Sequence, residues 1–212
     1  AILNRAALKN PEYFFASRLL KASDPNILDG EWNVYHASGL AWRKNHGSSV
    51  SKSHLEPREV LSACAAAAAY PRHAFDSVGG FDEDFFAYME DLDLDLRLQG
   101  MGHSCLYLPE ALVAHEGSAS TSVRSSFALF HGHRNMVWTF IKNMPGVALW
   151  LLMPFHLLAN LAYLFASFVM PGGKALRQGK LAALLSLNQA FQKRKQVQKQ
   201  RKVSAWTLLR KM

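Results

Sequence analysis

Seven carboxylates crowd the twenty residues from Phe81 to Gly100 (FDEDFFAYMEDLDLDLRLQG): Asp82, Glu83, Asp84, Glu90, Asp91, Asp93 and Asp95. They alternate with Phe85, Met89 and four leucines. Carboxylates set beside so many apolar side chains must be solvated, paired, metal-bound or held for proton transfer. An acidic, solvated helix start explains the same composition, because the helix dipole favours Asp and Glu there. The periodicity supports two elements. Leu92, Leu94, Leu96 and Leu98 alternate as in a strand, whereas Phe85, Met89, Leu92 and Leu96 form one helical face, with Gly100 as a stop. A helix places Asp91 and Asp95 on one side, one turn apart.

The elements around this stretch read as mixed α/β. Ala1-Ile2-Leu3 reads as the end of a strand, so the chain is expected to be the later part of a longer fold. Pro11 to Lys21 reads as a short helix with Phe14, Phe15 and Leu19 inward. Asp24-Pro25-Asn26 and Asp29-Gly30 are turn signals, as is Ser77 to Gly80. Val34 to Trp42 reads as a strand or hairpin arm, and the Ser-rich residues 43–58 as a loop or mobile linker. Val60 to Tyr70 fits a helix or a buried strand equally. Short strands are expected at Ser104 to Leu108 and Ala111 to Ala114, around Pro109. Two cysteines, Cys64 and Cys105, exclude a disulfide scaffold and a four-cysteine zinc module.

Charge divides the 212 residues. Residues 1–116 hold all 16 acids and 10 of the 24 Lys and Arg, a net −6; residues 117–212 hold 14 basic residues and no acid, so the whole carries +8. The basic half is expected to meet phosphate, on nucleic acid or anionic lipid. Gly146 to Met170 carries no Lys, Arg, Asp or Glu. It approaches the length of a ~30 Å hydrocarbon core, although Pro154, His156 and Asn160 interrupt it. Trp138, Trp150 and Tyr163 suit an interfacial position. Beyond it, Leu176, Leu181, Leu184, Leu185, Leu187 and Phe191, interleaved with basic residues, read as an amphipathic surface helix. An ordinary helix packed on the globular part is the alternative. The preferred placement puts both flanks of the apolar run on the cytoplasmic side.

The order Val78-Gly-Gly-Phe-Asp-Glu-Asp-Phe-Phe-Ala-Tyr-Met-Glu-Asp-Leu-Asp-Leu, Arg97, Gly100, Leu106-Tyr-Leu-Pro-Glu-Ala and Val113-Ala-His115 resembles family 2 glycosyltransferases, nearest the bacterial rhamnosyltransferase-like enzymes of surface polysaccharide assembly. Leu3-Asn4 through Pro11-Glu-Tyr-Phe, Asp29-Gly30, Cys64-Ala-Ala-Ala and His133-Arg134-Asn135 extend the match.

The resemblance implies the C-terminal portion of a glycosyltransferase A-type (Rossmann-like) α/β fold over residues 1–122, followed by a mostly helical, basic, membrane-associated region over 123–212. The N-terminal nucleotide-binding half is expected to be absent. It implies inverting transfer of a sugar from a nucleotide-sugar donor to a hydroxyl of a glycan or lipid-linked acceptor, at the cytoplasmic face of the bacterial inner membrane. Asp91 matches the general base, Glu90 a neighbour that positions the acceptor, and His115 a ligand of a divalent metal, Mg or Mn, beside the diphosphate. Ala6 stands where the family carries a metal-facing aspartate. A catalytically inactive binding or scaffold relative therefore stays open. A nucleic-acid-binding protein using the basic half is a third reading, against which the half lacks a nucleic-acid motif.

Overall fold

The structure, a computed structural model, describes residues 2–117 and 125–212. The expected boundary at 122 lies outside the described residues. The fold is mixed α/β, as expected. Its sheet runs in the order β2 (Asp24–Gly30), β1 (Tyr13–Lys21), β7 (Ser104–His115), β5 (Arg58–Val60), with β6 (Ala68–Ala69) sharing an edge of β1. β1 and β7 are parallel, from Tyr13 opposite Ser104 to Lys21 opposite His115. β2, β5 and β6 pair antiparallel. A hairpin of β3 (Asn33–Tyr35) and β4 (Ala41–Arg43) stands apart, as the Val34–Trp42 pattern foretold.

Three elements differ from their sequence reading. Residues 13–21 form a strand, not a helix. Phe14, Phe15, Ala16 and Leu19 are buried because β1 is central and covered on both faces, which erases alternation. The inward placement of Phe14, Phe15 and Leu19 holds. Ile2–Lys9 is a helix, α1, not a strand end. Ile2, Leu3, Ala6 and Ala7 make its helical face against Phe15, Leu108 and Ala111. Asp24 to Gly30 is strand β2 rather than two turns, the reversal falling at Ala22 and Ser23. The two strands expected around Pro109 are one, β7. Ser17 pairs with Leu108 and Arg18 with Leu112, so Pro109, which has no N–H to give, sits in the irregularity between them.

After a short helix α2, Arg72–Ser77, the acidic stretch resolves as helix α3, Glu90–Met101. Its strand-like leucines belong to two helical faces. Leu94 and Leu98 meet the sheet through Phe14, Cys105 and Tyr107. Leu92 and Leu96 meet Trp138, Phe140 and Ile141 of α4, Ser126–Asn143. A helix buried on both sides shows apolar residues two apart. It continues through Gly100 and stops at Gly102, whose φ of 100° suits glycine.

After α4 come α5 (Ala148–Ala166), α6 (Gly173–Leu185), α7 (Leu187–Gln200) and α8 (Ala205–Leu209). Among the described residues, α5 alone is long and apolar enough to cross a membrane. The expected single amphipathic helix is two, α6 and α7. Leu176 is buried, and a Cβ on Gly179 would lie 2.4 Å from the Phe130 carbonyl oxygen, so α6 and α4 approach closely. Leu181, Leu184 and Leu185 still face outward. Trp138 is not interfacial: it is buried and its indole N–H donates to Ser186 Oγ at 3.0 Å. Trp150 is exposed.

The two charge halves interlock. Lys142 Nζ reaches Asp82 at 2.6 Å and buried Asp93 at 2.8 Å. Lys193 pairs with Asp82 and Asp84. Arg194 donates to the carbonyls of Ile141 in the last turn of α4 and of Met144 and Gly146 beyond it. Part of the basic half thus neutralises acids of the other half.

Candidate active site

Glu90 and Asp91 open α3, where the dipole favours carboxylates. The turn before them is strained: Phe86, Tyr88 and Met89 have φ of 60°, 66° and 69°, a region that non-glycine residues avoid. Helix α4 holds it there. The Asn135 side-chain amide donates to the carbonyls of Phe85, Ala87 and Tyr88 at 2.9, 2.8 and 2.7 Å. Arg134 Nη2 donates to Asp84 and Phe85 carbonyls. Arg134 and Asn135 of the His133-Arg134-Asn135 motif therefore act through this turn.

Asp91 is fixed by three donors. Its Oδ2 accepts from Asn33 Nδ2 at 3.1 Å and Ala65 N at 3.3 Å, its Oδ1 from Leu92 N at 2.8 Å. Asp95, one turn on as the helix reading required, accepts from Ser62 Oγ and Ala63 N. Burial, then the charge of Asp91, raises the Asp95 carboxyl well above the usual carboxylate range. The same two causes, in the same order, raise Glu90. Glu90 Oε2 is buried and finds no hydrogen-bond partner among the described residues. The four carboxylates of α3 thus divide: Asp93 and Asp95 are structural, while Glu90 and Asp91 line an open cavity of about 820 Å³.

His115 ends β7 and lines the same cavity. Its Nδ1 donates to Asp29 Oδ2 at 2.6 Å, which leaves Nε2 for a ligand. Asp29, 4% exposed, also accepts from Arg43 Nη1 at 2.5 Å, and His46 Nδ1 approaches its other oxygen at 3.5 Å. The Asp29-Gly30 signal is thus a structural device rather than a turn. Gly30 has φ of 137°, and a Cβ there would lie 2.2 Å from Arg43 Cδ. His115, Arg43, Trp42 and Tyr88 also border a second cavity of about 710 Å³ that contains Lys21 and His46. Sequence reasoning passed over Asn33, Arg43 and Asp29 as site residues. The Asp29-Gly30 pair was the available signal, and Asn33 and Arg43 become neighbours only through the hairpin.

The residues present do not complete a metal site. Among the described residues, no three His, Cys, Asp or Glu side chains are grouped to hold an ion. His115 supplies one nitrogen. Ala6 lies in α1 against Phe15, Leu108 and Ala111, and lines neither cavity.

The loop over 43–58 is a loop, but it is tied down. Buried Glu31 accepts from Asn45 Nδ2, His54 N and Tyr107 Oη at 2.6, 2.7 and 3.0 Å.

No family model matches the chain. Two curated relatives are 32% identical to it over 122 residues, which is 56% of this chain and 39% of theirs. Both are described as N-acetylglucosaminyl-diphospho-decaprenol L-rhamnosyltransferase, from Mycobacterium tuberculosis strains CDC 1551 / Oshkosh and ATCC 25618 / H37Rv. The chain spans about two fifths of the length of the curated relatives it matches. Over that stretch it is similar to rhamnosyltransferases, the resemblance first read from the run between Val78 and His115.

Proposed function

We propose that the chain forms the acceptor side of an inverting, A-type glycosyltransferase that moves a sugar from a nucleotide donor to a hydroxyl of a lipid-linked glycan in cell-envelope polysaccharide assembly. One observation carries this reading: Glu90 and Asp91 line a large open cavity that also contains His115. The similarity to the two rhamnosyltransferases supports it.

In this mechanism Asp91 accepts the proton of the acceptor hydroxyl. The hydroxyl oxygen forms a bond to the anomeric carbon as the bond to the diphosphate oxygen breaks, and the electron pair leaves with the nucleoside diphosphate. Attack opposite the leaving group inverts the centre. Asn33 and Ala65 N hold Asp91 in one orientation, which preserves its aim. Glu90, raised by burial and by Asp91, is the neighbour that hydrogen-bonds the acceptor. Were a divalent cation, Mg or Mn, to bind beside the diphosphate, His115 would be this chain's one ligand to it and the cation would supply charge against the leaving group.

The reading places the protein at the cytoplasmic face of the inner membrane, peripheral or monotopic, with residues 123–212 as the membrane-facing region. The exposed apolar side chains of α5 and the outward leucines of α6 support this. Lys193 and Arg194 turn inward, which removes part of the basic surface a nucleic-acid partner would use.

The test is Asp91→Asn in the full-length protein. Sugar transfer is lost while the circular dichroism spectrum is kept. Transfer at the wild-type rate would remove Asp91 from the mechanism.

A further inference from the structure

The cavity at Asp91 has two chemically different ends. One carries Asn33, Arg43, Glu90, Asp91 and His115. The other is walled by α4 and α5, through Ala128, Leu129, Gly132, Met136 and Tyr163. That wall has no charged side chain. His133, which also lines it, is held neutral at ordinary pH, its pKa lowered to about 4 by burial and then by Lys180. Gly132 keeps the space free: a Cβ added there meets nothing within 4 Å. Tyr163 belongs to α5, whose Leu157, Leu158, Leu161 and Phe165 are exposed. The cavity therefore joins the carboxylates to an apolar wall at Leu129, Gly132, Met136 and Tyr163. The volume, about 820 Å³, falls within the usual range of ligand pockets.

We propose that the α4–α5 end of the cavity is a hydrocarbon subsite that takes the isoprenoid chain of a lipid-linked acceptor, so that its diphosphate-borne sugar lies toward Asp91. This deepens the glycosyl-transfer reading and rests on it for the identity of the acceptor. A sugar or peptide would leave polar groups unpaired against the wall formed by Leu129, Gly132 and Met136, whereas a hydrocarbon gains from every methylene it removes from water.

The experiment uses a long-chain isoprenoid diphosphate with a photoreactive group on its hydrocarbon end. It is mixed in detergent with the full-length protein, irradiated, and the labelled peptides are mapped. Labelling within residues 127–136 or at Tyr163 is expected. Gly132→Phe, whose Cβ meets nothing within 4 Å and whose ring takes up space in the cavity, lowers that labelling about tenfold, and Gly132→Ala leaves it near wild type. Labelling confined to the outward residues of α5, or unchanged by Gly132→Phe, overturns the proposal. The readout needs no sugar transfer. Labelled but inactive protein would sink the catalytic reading alone, and an active enzyme with no label at α4 would sink the subsite alone.

Discussion

Asn135 in α4 donates its side-chain amide to the main-chain carbonyl of Tyr88 at 2.7 Å, two residues before Glu90. The same amide serves Phe85 and Ala87, so one fully buried side chain holds a turn in which three residues have positive φ. Asn135→Ala leaves these carbonyls without that donor. A buried polar group without a partner costs about 1–3 kcal/mol. Urea unfolding should show a loss of that size or more, and kcat should fall more than KM rises, because the carboxylates lose their aim.

Gly30→Ala is expected to lower stability by about 1–3 kcal/mol, since its φ of 137° is foreign to an L residue and its Cβ would strike Arg43. The Arg43–Asp29 pair must then part. Thermal unfolding reads the effect, and an unchanged midpoint would show that Arg43 moves aside freely.

Lys142→Met removes a cation from two carboxylates at once. Asp93, fully buried, keeps Arg97 and Asn143 but loses its ammonium partner. Breaking a buried pair on one side typically costs about 3–5 kcal/mol. Denaturant titration of the variant should fall in that range, and Asp93→Asn in the same background should recover part of it.

Asp82 sets a pH limit. Burial pushes its carboxyl up, but Lys142 and Lys193 more than offset this and bring it down to about 2. A carboxyl lowered on folding stabilises the fold above its unfolded value of about 3.9 and loses that contribution as pH falls through the folded value. Stability should therefore decline between about pH 4 and pH 2, and Asp82→Asn should flatten that part of the curve. An equally steep decline in the variant would assign the acid limit to other groups.

Membrane attachment is checked by co-sedimentation with anionic phospholipid vesicles. Phe155→Glu with Leu158→Glu places charge on the exposed face of α5 without touching its buried side. Partition should drop severalfold at low and moderate salt. Unchanged partition would transfer the attachment to other surfaces.

The sequence was most legible where a single physical constraint ruled. The hairpin around residues 33–43 and the inward Phe14, Phe15 and Leu19 followed from local patterns. β1 was misread because a strand buried on both faces carries no alternation, and α3 looked ambiguous because a helix buried on two faces carries too much. Glu90, Asp91 and His115 come together on one cavity. Asn33, Arg43 and Asp29 were hidden, since their role depends on a hairpin folding Arg43 back over Gly30. Trp138 shows the opposite error: an aromatic near an apolar run was read as interfacial when α6 and α7 were waiting to cover it.

Lys193 grips Asp82 across 111 residues of chain. During synthesis the acidic turn emerges from the ribosome long before its lysine does. That ion pair consequently waits for α7, and a nascent chain halted earlier would leave Asp82 with Lys142 alone. The acidic turn is thereby tied to a helix made after it.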